Sequence, residues 1–377
     1  MSYQSIDELQ RVLTEEVFHY AQDSKKAAGR ALGTLIEIIT FYALKSWGLE
    51  RSVAIERGLP EFANEGITHN VEFSLHPTTP LATVDFDLAD LPITAKKMSK
   101  SAKDLPSVAT LKSTQLLSKN SILRNACTIY EGDAFFINSY LDELNLESGS
   151  YTLAALQRQP FAIFECKRVG VEEGMKKGPQ SIEKAKQGAY VARAVSALQR
   201  IRFADGRMGG VIQNADGTLR SGDYYALLNE IVQSNDKTLL ANFILTVGVV
   251  SNHGNWFTSD NHNKELKVLA QSYDWLLFLT DTGVATFVTD LLLRPEPRYQ
   301  PAKEAFLASY TGQKQGNQFT KVQISLAADA ALQDYFDTHA QSIESWFNII
   351  APADKNLATL KSELNILSNK NWQEIHA

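Results

Sequence analysis

Residues 159–195 read "QPFAIFECKRVGVEEGMKKGPQSIEKAKQGAYVARAV", and the pattern changes character twice within them. "FAIFECK" is an apolar run that ends in charge. A basic stretch with Gly170, Gly174 and Gly178 follows, and a helical pattern opens near Pro179. Strand side chains alternate between faces. Ala162, Phe164 and Cys166 therefore share one face, and Ile163, Glu165 and Lys167 share the other. Glu165 and Lys167 project together, about 7 Å apart along the strand. A buried face accepts two charges only when they bind each other or a ligand. The plainer alternative is a strand that emerges into solvent here. Strand, loop and long helix in succession point to an α/β fold.

Working outward, the 377 residues suffice for one large domain or two moderate ones. A hydrophobic fraction of 44% and a charged fraction of 21% are ordinary for a globular protein. No run of about 18 apolar residues occurs, so no membrane span is expected. "MSYQSIDELQ" lacks the basic-then-apolar order of an export signal. Cys127 and Cys166 form no disulfide framework, which fits a reducing cytoplasm. The net charge of −6 counts against a polyanion partner, but it hides local fields. Residues 94–124 carry Lys96, Lys97, Lys100, Lys103, Lys112, Lys119 and Arg124 against Asp104 alone. An acidic body with basic strips suits a protein that grips a polyanion on one face. A solvated basic loop is the alternative.

The pattern predicts helices over 6–22, 27–47 (ended by Gly48), 107–123, 179–203, 222–234, 263–273, 301–312, 327–348 and 354–369. It predicts strands over 52–57, 69–76, 161–167, 238–250, 274–280 and 284–290, and strand, turn, strand over 126–138. Residues 77–106 read mostly as loop and 139–158 as a polar connector. There is no internal repeat and no clear linker, so one α/β body with helical additions is expected.

"YEGDAFFIN" puts Asp133 after Gly132 at the start of an apolar strand, far enough before Glu165 for the two strands to be neighbours. Two carboxylates brought close repel each other and attract a hard divalent cation. Mg²⁺ commonly takes one or two carboxylates plus waters and phosphate oxygens. Lys167 would then hold the attacking water or neutralise charge on the phosphate. Glu131 replaces Asp133 if the register differs by two. The glycines, with Lys176 and Lys177, suit close approach of backbone to a phosphate, and Lys184 lies one turn before Gln187.

Asp133 on one strand, Glu165-Cys166-Lys167 on another and a helix after them resemble the PD-(D/E)xK nuclease superfamily, the type II restriction endonuclease fold. Gly132 stands where a proline often precedes the first acid. The resemblance implies two further positions: a Gln with a nearby aromatic on the following helix, here Gln187 and Tyr190, and an early-helix Glu that supports the metal, here Glu37. It covers roughly residues 27–205 and leaves 206–377 unmatched.

The fold it implies is an α/β, restriction-endonuclease-like mixed central sheet flanked by helices, with an additional helical C-terminal region. The organisation it implies is an N-terminal helix over 1–25, a nuclease core over 26–205 with a basic insertion near 94–124, and a recognition or dimerisation region over 206–377. The implied activity is Mg²⁺-dependent, site-specific cleavage of double-stranded DNA. Asp133 and Glu165 would hold Mg²⁺, Glu37 would support it, and Lys167 would assist the water. Lys96, Lys97, Lys100, Lys176, Lys177 and Lys184 would contact DNA. A homodimer would read a palindromic site, and a cognate DNA methyltransferase would belong to the same system without being a physical partner. Two alternatives stay open: a repair or recombination nuclease of the same superfamily, and a catalytically silent DNA-binding module.

Other motifs carry less. "SNHGNWFTSDNHNKE" (251–265) lacks the second metal-ligand pair of an HNH nuclease. No G-x-x-x-x-G-K-[ST] or G-x-S-x-G occurs. "DTGVATF" (281–287) reads as a hairpin turn rather than as an aspartic-protease motif.

Overall fold

Asp23 opens the long apolar helix. Its side chain accepts the Lys26 N–H, and helix α1, Ser24–Ser46, runs to Trp47 and then Gly48, whose φ of +75° suits glycine. A computed structural model describes residues 6–61, 64–102, 105, 110–170, 180–253, 264–309 and 319–376. Helix α1 is apolar nearly all round because it is buried in the main core. It is long and apolar enough to cross a membrane, with a mean hydropathy of 1.3, and most of it is buried within the fold. Gly33, Thr34 and Glu37 interrupt its apolar residues, so the sequence shows no unbroken apolar run there.

Helix α1 packs on a mixed six-stranded sheet of β1 (Val53–Ile55), β2 (Phe73–Leu75), β3 (Ala162–Gly170), β4 (Leu245–His253), β5 (Trp275–Leu279) and β6 (Phe347–Ala351). In this numbering neighbours in sequence are neighbours in space. The pairs β1/β2, β2/β3 and β5/β6 are antiparallel, and β3/β4 and β4/β5 are parallel. Parallel neighbours need crossover connections. Helix α2, Gln180–Val195, lies in the first crossover and helix α3, Lys264–Ala270, in the second. The middle strands are covered on both faces, so they read as continuous apolar runs; every residue of β5 is buried. The sheet takes β1–β3 from before residue 206 and β4–β6 from after it, so a boundary placed there falls inside one sheet.

A second, antiparallel sheet has five strands, ordered Thr78–Asp87, Ser148–Gln157, Phe135–Leu144, Cys127–Glu131 and Thr110–Leu111, and contains the strand, turn, strand expected over 126–138. Two of these strands replace the expected loop over 77–106 and the expected connector over 139–158. Thr78–Asp87 is an edge strand with only Val84 and Phe86 buried, so its composition is that of a loop. Pro80 is tolerated at a register shift opposite Leu153 and Ala154. The connector looked polar because its polar side chains bond inside the sheet: Ser139 Oγ donates to the Cys127 carbonyl at 3.1 Å, and Thr152 donates to Asp142 at 2.7 Å.

The helix expected over 107–123 is also absent among the described residues. Short strands at Gln115–Leu117 and Ile122–Arg124 join Ile93–Thr94 and Gln323–Ser325 in a four-stranded sheet. Ser118 Oγ accepts the Asn120 and Ile122 N–H groups, a local turn that competes with helix. The strand expected over 284–290 is helical. Thr280 caps Asp281–Val288 by accepting the Gly283 N–H, and tertiary packing overrides the β-propensity of its valines and threonine. Asp281 therefore opens a helix and not a hairpin turn. The helix expected over 327–348 splits into Leu326–Thr338, Ala340–Glu344 and strand β6, and that over 179–203 stops at Val195. Residues 238–250 begin as a short helix, Lys237–Leu240, before β4.

Candidate active site

Glu165 sits where two strands part. The β2/β3 ladder pairs Ala162 with Leu75, Ile163 with Ser74 and Phe164 with Phe73, and it stops there. The next position in register would set Glu165 opposite Glu72. Residues facing each other across an antiparallel pair lie about 5 Å apart at Cβ. Both acids are buried, Glu165 with 3% and Glu72 with 7% of its surface exposed. Burial raises the pKa of each carboxyl. Glu37 adds to the rise at Glu72, whereas Lys167 offsets it at Glu165, where the Glu72 N–H also donates to the carboxylate.

Lys167 lies on the same face of β3, with Nζ 3.4 Å from Glu165 Oε2 and the side chain 35% exposed, so its ammonium reaches the mouth of the site. Burial lowers its pKa, but Glu165 and Glu72 outweigh that and leave it raised, so the group is a cation and a proton donor at neutral pH. Glu165 Oε2 is itself buried, and Lys167 is the cation it pairs with.

Two glycines shape the space around Glu165. Gly188 on α2 faces it so closely that a Cβ there would lie 2.4 Å from Glu165 Cγ. Gly248 on β4 is the strand neighbour of Glu165, and a Cβ there would meet the Tyr273 ring at 2.7 Å. Tyr273 is fully buried, and its hydroxyl pKa is raised by burial first and by Glu165 second.

The opposite wall comes from α1, the end of β1 and a distant turn. Lys321 Nζ contacts Glu72, and it lies 2.7 Å from Glu37 Oε2 and 2.9 Å from Glu56 Oε1. Its side chain is 6% exposed. Burial lowers the ammonium pKa, but Glu72 and Glu37 reverse this and hold it raised. The outcome is a cluster of four carboxylates, Glu37, Glu56, Glu72 and Glu165, with two ammonium groups, Lys167 and Lys321.

Three of the expected residues, Glu37, Glu165 and Lys167, thus belong to one cluster. Asp133 does not join them. It is exposed, in the turn between the strands Cys127–Glu131 and Phe135–Leu144 of the other sheet, and it lines a surface cleft with Arg158, Gln159 and His376. The turn abuts Arg158, which precedes β3, so Asp133 neighbours the entry of that strand and not its charged middle. Glu131 is engaged by Arg57 at 2.5 Å and Arg158 at 3.0 Å, so it does not take that place.

Gln187 and Tyr190 are exposed on α2, and Lys186 Nζ lies 5.1 Å from the centre of the Tyr190 ring. Lys96, Lys97 and Lys100 are exposed on the short helix Ala95–Ser101. Lys176 and Lys177 lie outside the described residues, as does most of the Asn-rich stretch 251–265. Lys184 is on α2, with its side chain outside what is described.

Glu72, Glu56 and Lys321 are the members that the sequence pattern does not single out. "HNVEFSLH" alternates as though Glu72, Ser74 and His76 faced water. In the fold all three are buried, because β2 lies between layers, and His76 bonds the Gln157 carbonyl and Ser74 Oγ, each at 2.7 Å. An acid in the same polar series as a His and a Ser, directly before "FSL", was the available signal.

The donor set suits a hard cation in part. Glu72 and Glu165 supply two carboxylates, the number Mg²⁺ commonly takes from protein, and each has a buried oxygen that pairs with a lysine, Glu72 with Lys321 and Glu165 with Lys167. Among the described residues no three His, Cys, Asp or Glu groups are set together as a ready metal cage, and Lys321 stands among the acids. Comparison with protein-family models, curated proteins and solved structures returned no match.

Proposed function

We propose that this chain is a Mg²⁺-dependent DNA endonuclease of the PD-(D/E)xK type, with Glu72 in the role that Asp133 was expected to play. The observation that carries the reading is the Glu72 N–H donating to the Glu165 carboxylate just past the end of the β2/β3 ladder, with Lys167 3.4 Å from Glu165 at the mouth. The chain order supports it: a helix Glu (Glu37), a strand acid (Glu72), a strand E-x-K (Glu165 and Lys167) and the helix α2. The mixed sheet with α1 against it agrees with a restriction-endonuclease-like fold.

Glu72 and Glu165 would hold the ion, which when bound lowers the pKa of a water and stabilises charge on the phosphoryl group. Lys167 stays protonated at neutral pH. It therefore orients the attacking water and neutralises charge on a phosphate oxygen, and a neighbouring group takes the proton. Gly188 lets α2 approach Glu165 and fixes the carboxylate in place. Site-specific cutting of a palindrome would call for a homodimer. A cytoplasmic location and a methyltransferase acting on the same sequence belong to this reading.

One observation favours a second reading, a DNA-binding module without catalysis: Lys321 already pairs with three of the acids from within. Incubation with a phage genome and Mg²⁺ separates the readings. Discrete bands that vanish with Glu165→Gln support the site-specific endonuclease. A smear supports a nuclease that does not read sequence, and intact but retarded DNA supports the silent binder.

A further inference from the structure

Lys321 occupies the position where the acids call for a cation. Its ammonium is within ion-pair distance of Glu37, Glu56 and Glu72, on α1, at the end of β1 and just before β2. The turn that presents it is held firmly. Phe319 is fully buried, with its ring centroid 4.8 Å from that of Phe306. Thr320 Oγ1 accepts the N–H groups of Val322 at 3.2 Å and Gln323 at 3.0 Å. The Val322 carbonyl accepts the Asn125 N–H at 3.0 Å.

One ammonium among three carboxylates leaves the group negative. Glu165 adds a fourth acid, whose buried Oε2 pairs with Lys167 at 3.4 Å. A divalent cation matches that charge more closely, but it needs oxygens that the ammonium now engages. We propose that Lys321 is a tethered stand-in for a metal ion. It competes with a divalent cation for Glu37, Glu56 and Glu72, and the metal enters only as the lysine side chain swings out. The turn need not move, because the side chain carries the motion on its own rotatable bonds. The inference rests on the reading of these acids as a metal-dependent site. It makes the resting chain a weak metal binder whose loading is set by whatever draws Lys321 away, a DNA phosphate being the anion at hand.

The test uses Mn²⁺ alone as the probe, followed by the paramagnetic signal of the free ion and by thermal melting. The wild-type chain is expected to bind weakly. Lys321→Met removes the charge and keeps the bulk, and it is expected to bind Mn²⁺ about tenfold more tightly or better. Its melting point should fall without metal, because buried carboxylates lose their counterion, and recover as Mn²⁺ is added. Lys321→Arg keeps the charge and should bind no more tightly than wild type.

Equal affinity in Lys321→Met and wild type overturns the inference. So does a Lys321→Met chain that stays unfolded in millimolar Mn²⁺, since the ion then does not replace the ammonium. DNA cleavage by wild type keeps the two claims apart. Cleavage with unchanged Mn²⁺ affinity in Lys321→Met removes the stand-in and leaves the nuclease. Tightened Mn²⁺ binding with intact DNA removes the nuclease and leaves the stand-in.

Discussion

Glu72 and Asp133 each stand at the start of an apolar strand, and the fold treats them in opposite ways. Glu72 precedes β2 in the mixed sheet, is buried, and donates its N–H to the Glu165 carboxylate just past the end of a ladder. Asp133 sits in an exposed turn of the antiparallel sheet. Their difference lies in what covers the strand. β2 lies beneath α1 and between two neighbouring strands, so an acid beside it has nowhere to go but into a cluster. The strand after Asp133 begins at a sheet end, where a turn residue reaches water. A glycine-aspartate turn is thus weak evidence for an active-site acid, whereas an acid in the polar series of a doubly covered strand is stronger evidence.

The comparison can be broken most severely at the mixed sheet. Lys167→Ala and Glu165→Gln are expected to lower DNA cleavage by about 10²–10³-fold or more under single-turnover conditions, while DNA retardation in Ca²⁺ persists. Retained cleavage in either variant would move the chemistry elsewhere. Next in size is Gly188→Ala. The added methyl would enter the space of Glu165, and overpacking of this kind destabilises by about 1–3 kcal/mol. A lower melting point and a loss of cleavage should appear together. An unchanged melting point would show that α2 approaches Glu165 less closely than described.

A third test reads the junction between the two sheets. His76 is fully buried, and burial foremost, helped by Arg57 and opposed by the Gln157 carbonyl, lowers its pKa to about 3. The folded imidazole therefore stays neutral, while the unfolded one protonates near its usual value of about 6.5. Its contribution to stability is fully present above that value and is lost as pH falls towards 3, by about 1.4 kcal/mol for each pH unit. Urea midpoints measured between these limits should fall less steeply for His76→Asn than for wild type; parallel slopes would contradict a neutral buried His76. The smallest effect belongs to the turn. Asp133→Ala should alter stability by no more than about 0.5 kcal/mol in urea unfolding.

Much of the mixed sheet was legible because its signals are local. "FAIFECK" alternates into Glu165 and Lys167, the buried strands are continuous apolar runs, and Glu37 is a lone acid in an apolar helix. The antiparallel sheet was legible in its hairpin over 126–138, and the rest of it was hidden for a physical reason. Its edge strand Thr78–Asp87 exposes most of its side chains, and its inner strands bury Ser139 and Thr152 in hydrogen bonds, so both resemble loop by composition. Lys321 was out of reach, since it meets Glu37 from 284 residues away and no spacing rule links them. Glu72 was within reach: it lies in a stretch whose strand character was legible, and only the covering of both its faces was not.

The account turns on Glu72 being the partner acid of Glu165. The direct measurement is the single-turnover cleavage rate of Glu72→Gln beside that of Asp133→Asn, in Mg²⁺, with both variants shown by melting to be folded. The account predicts a Glu72→Gln chain that leaves DNA uncut and an Asp133→Asn chain that cuts at the wild-type rate. The reverse, a silent Asp133→Asn and an active Glu72→Gln, would contradict it.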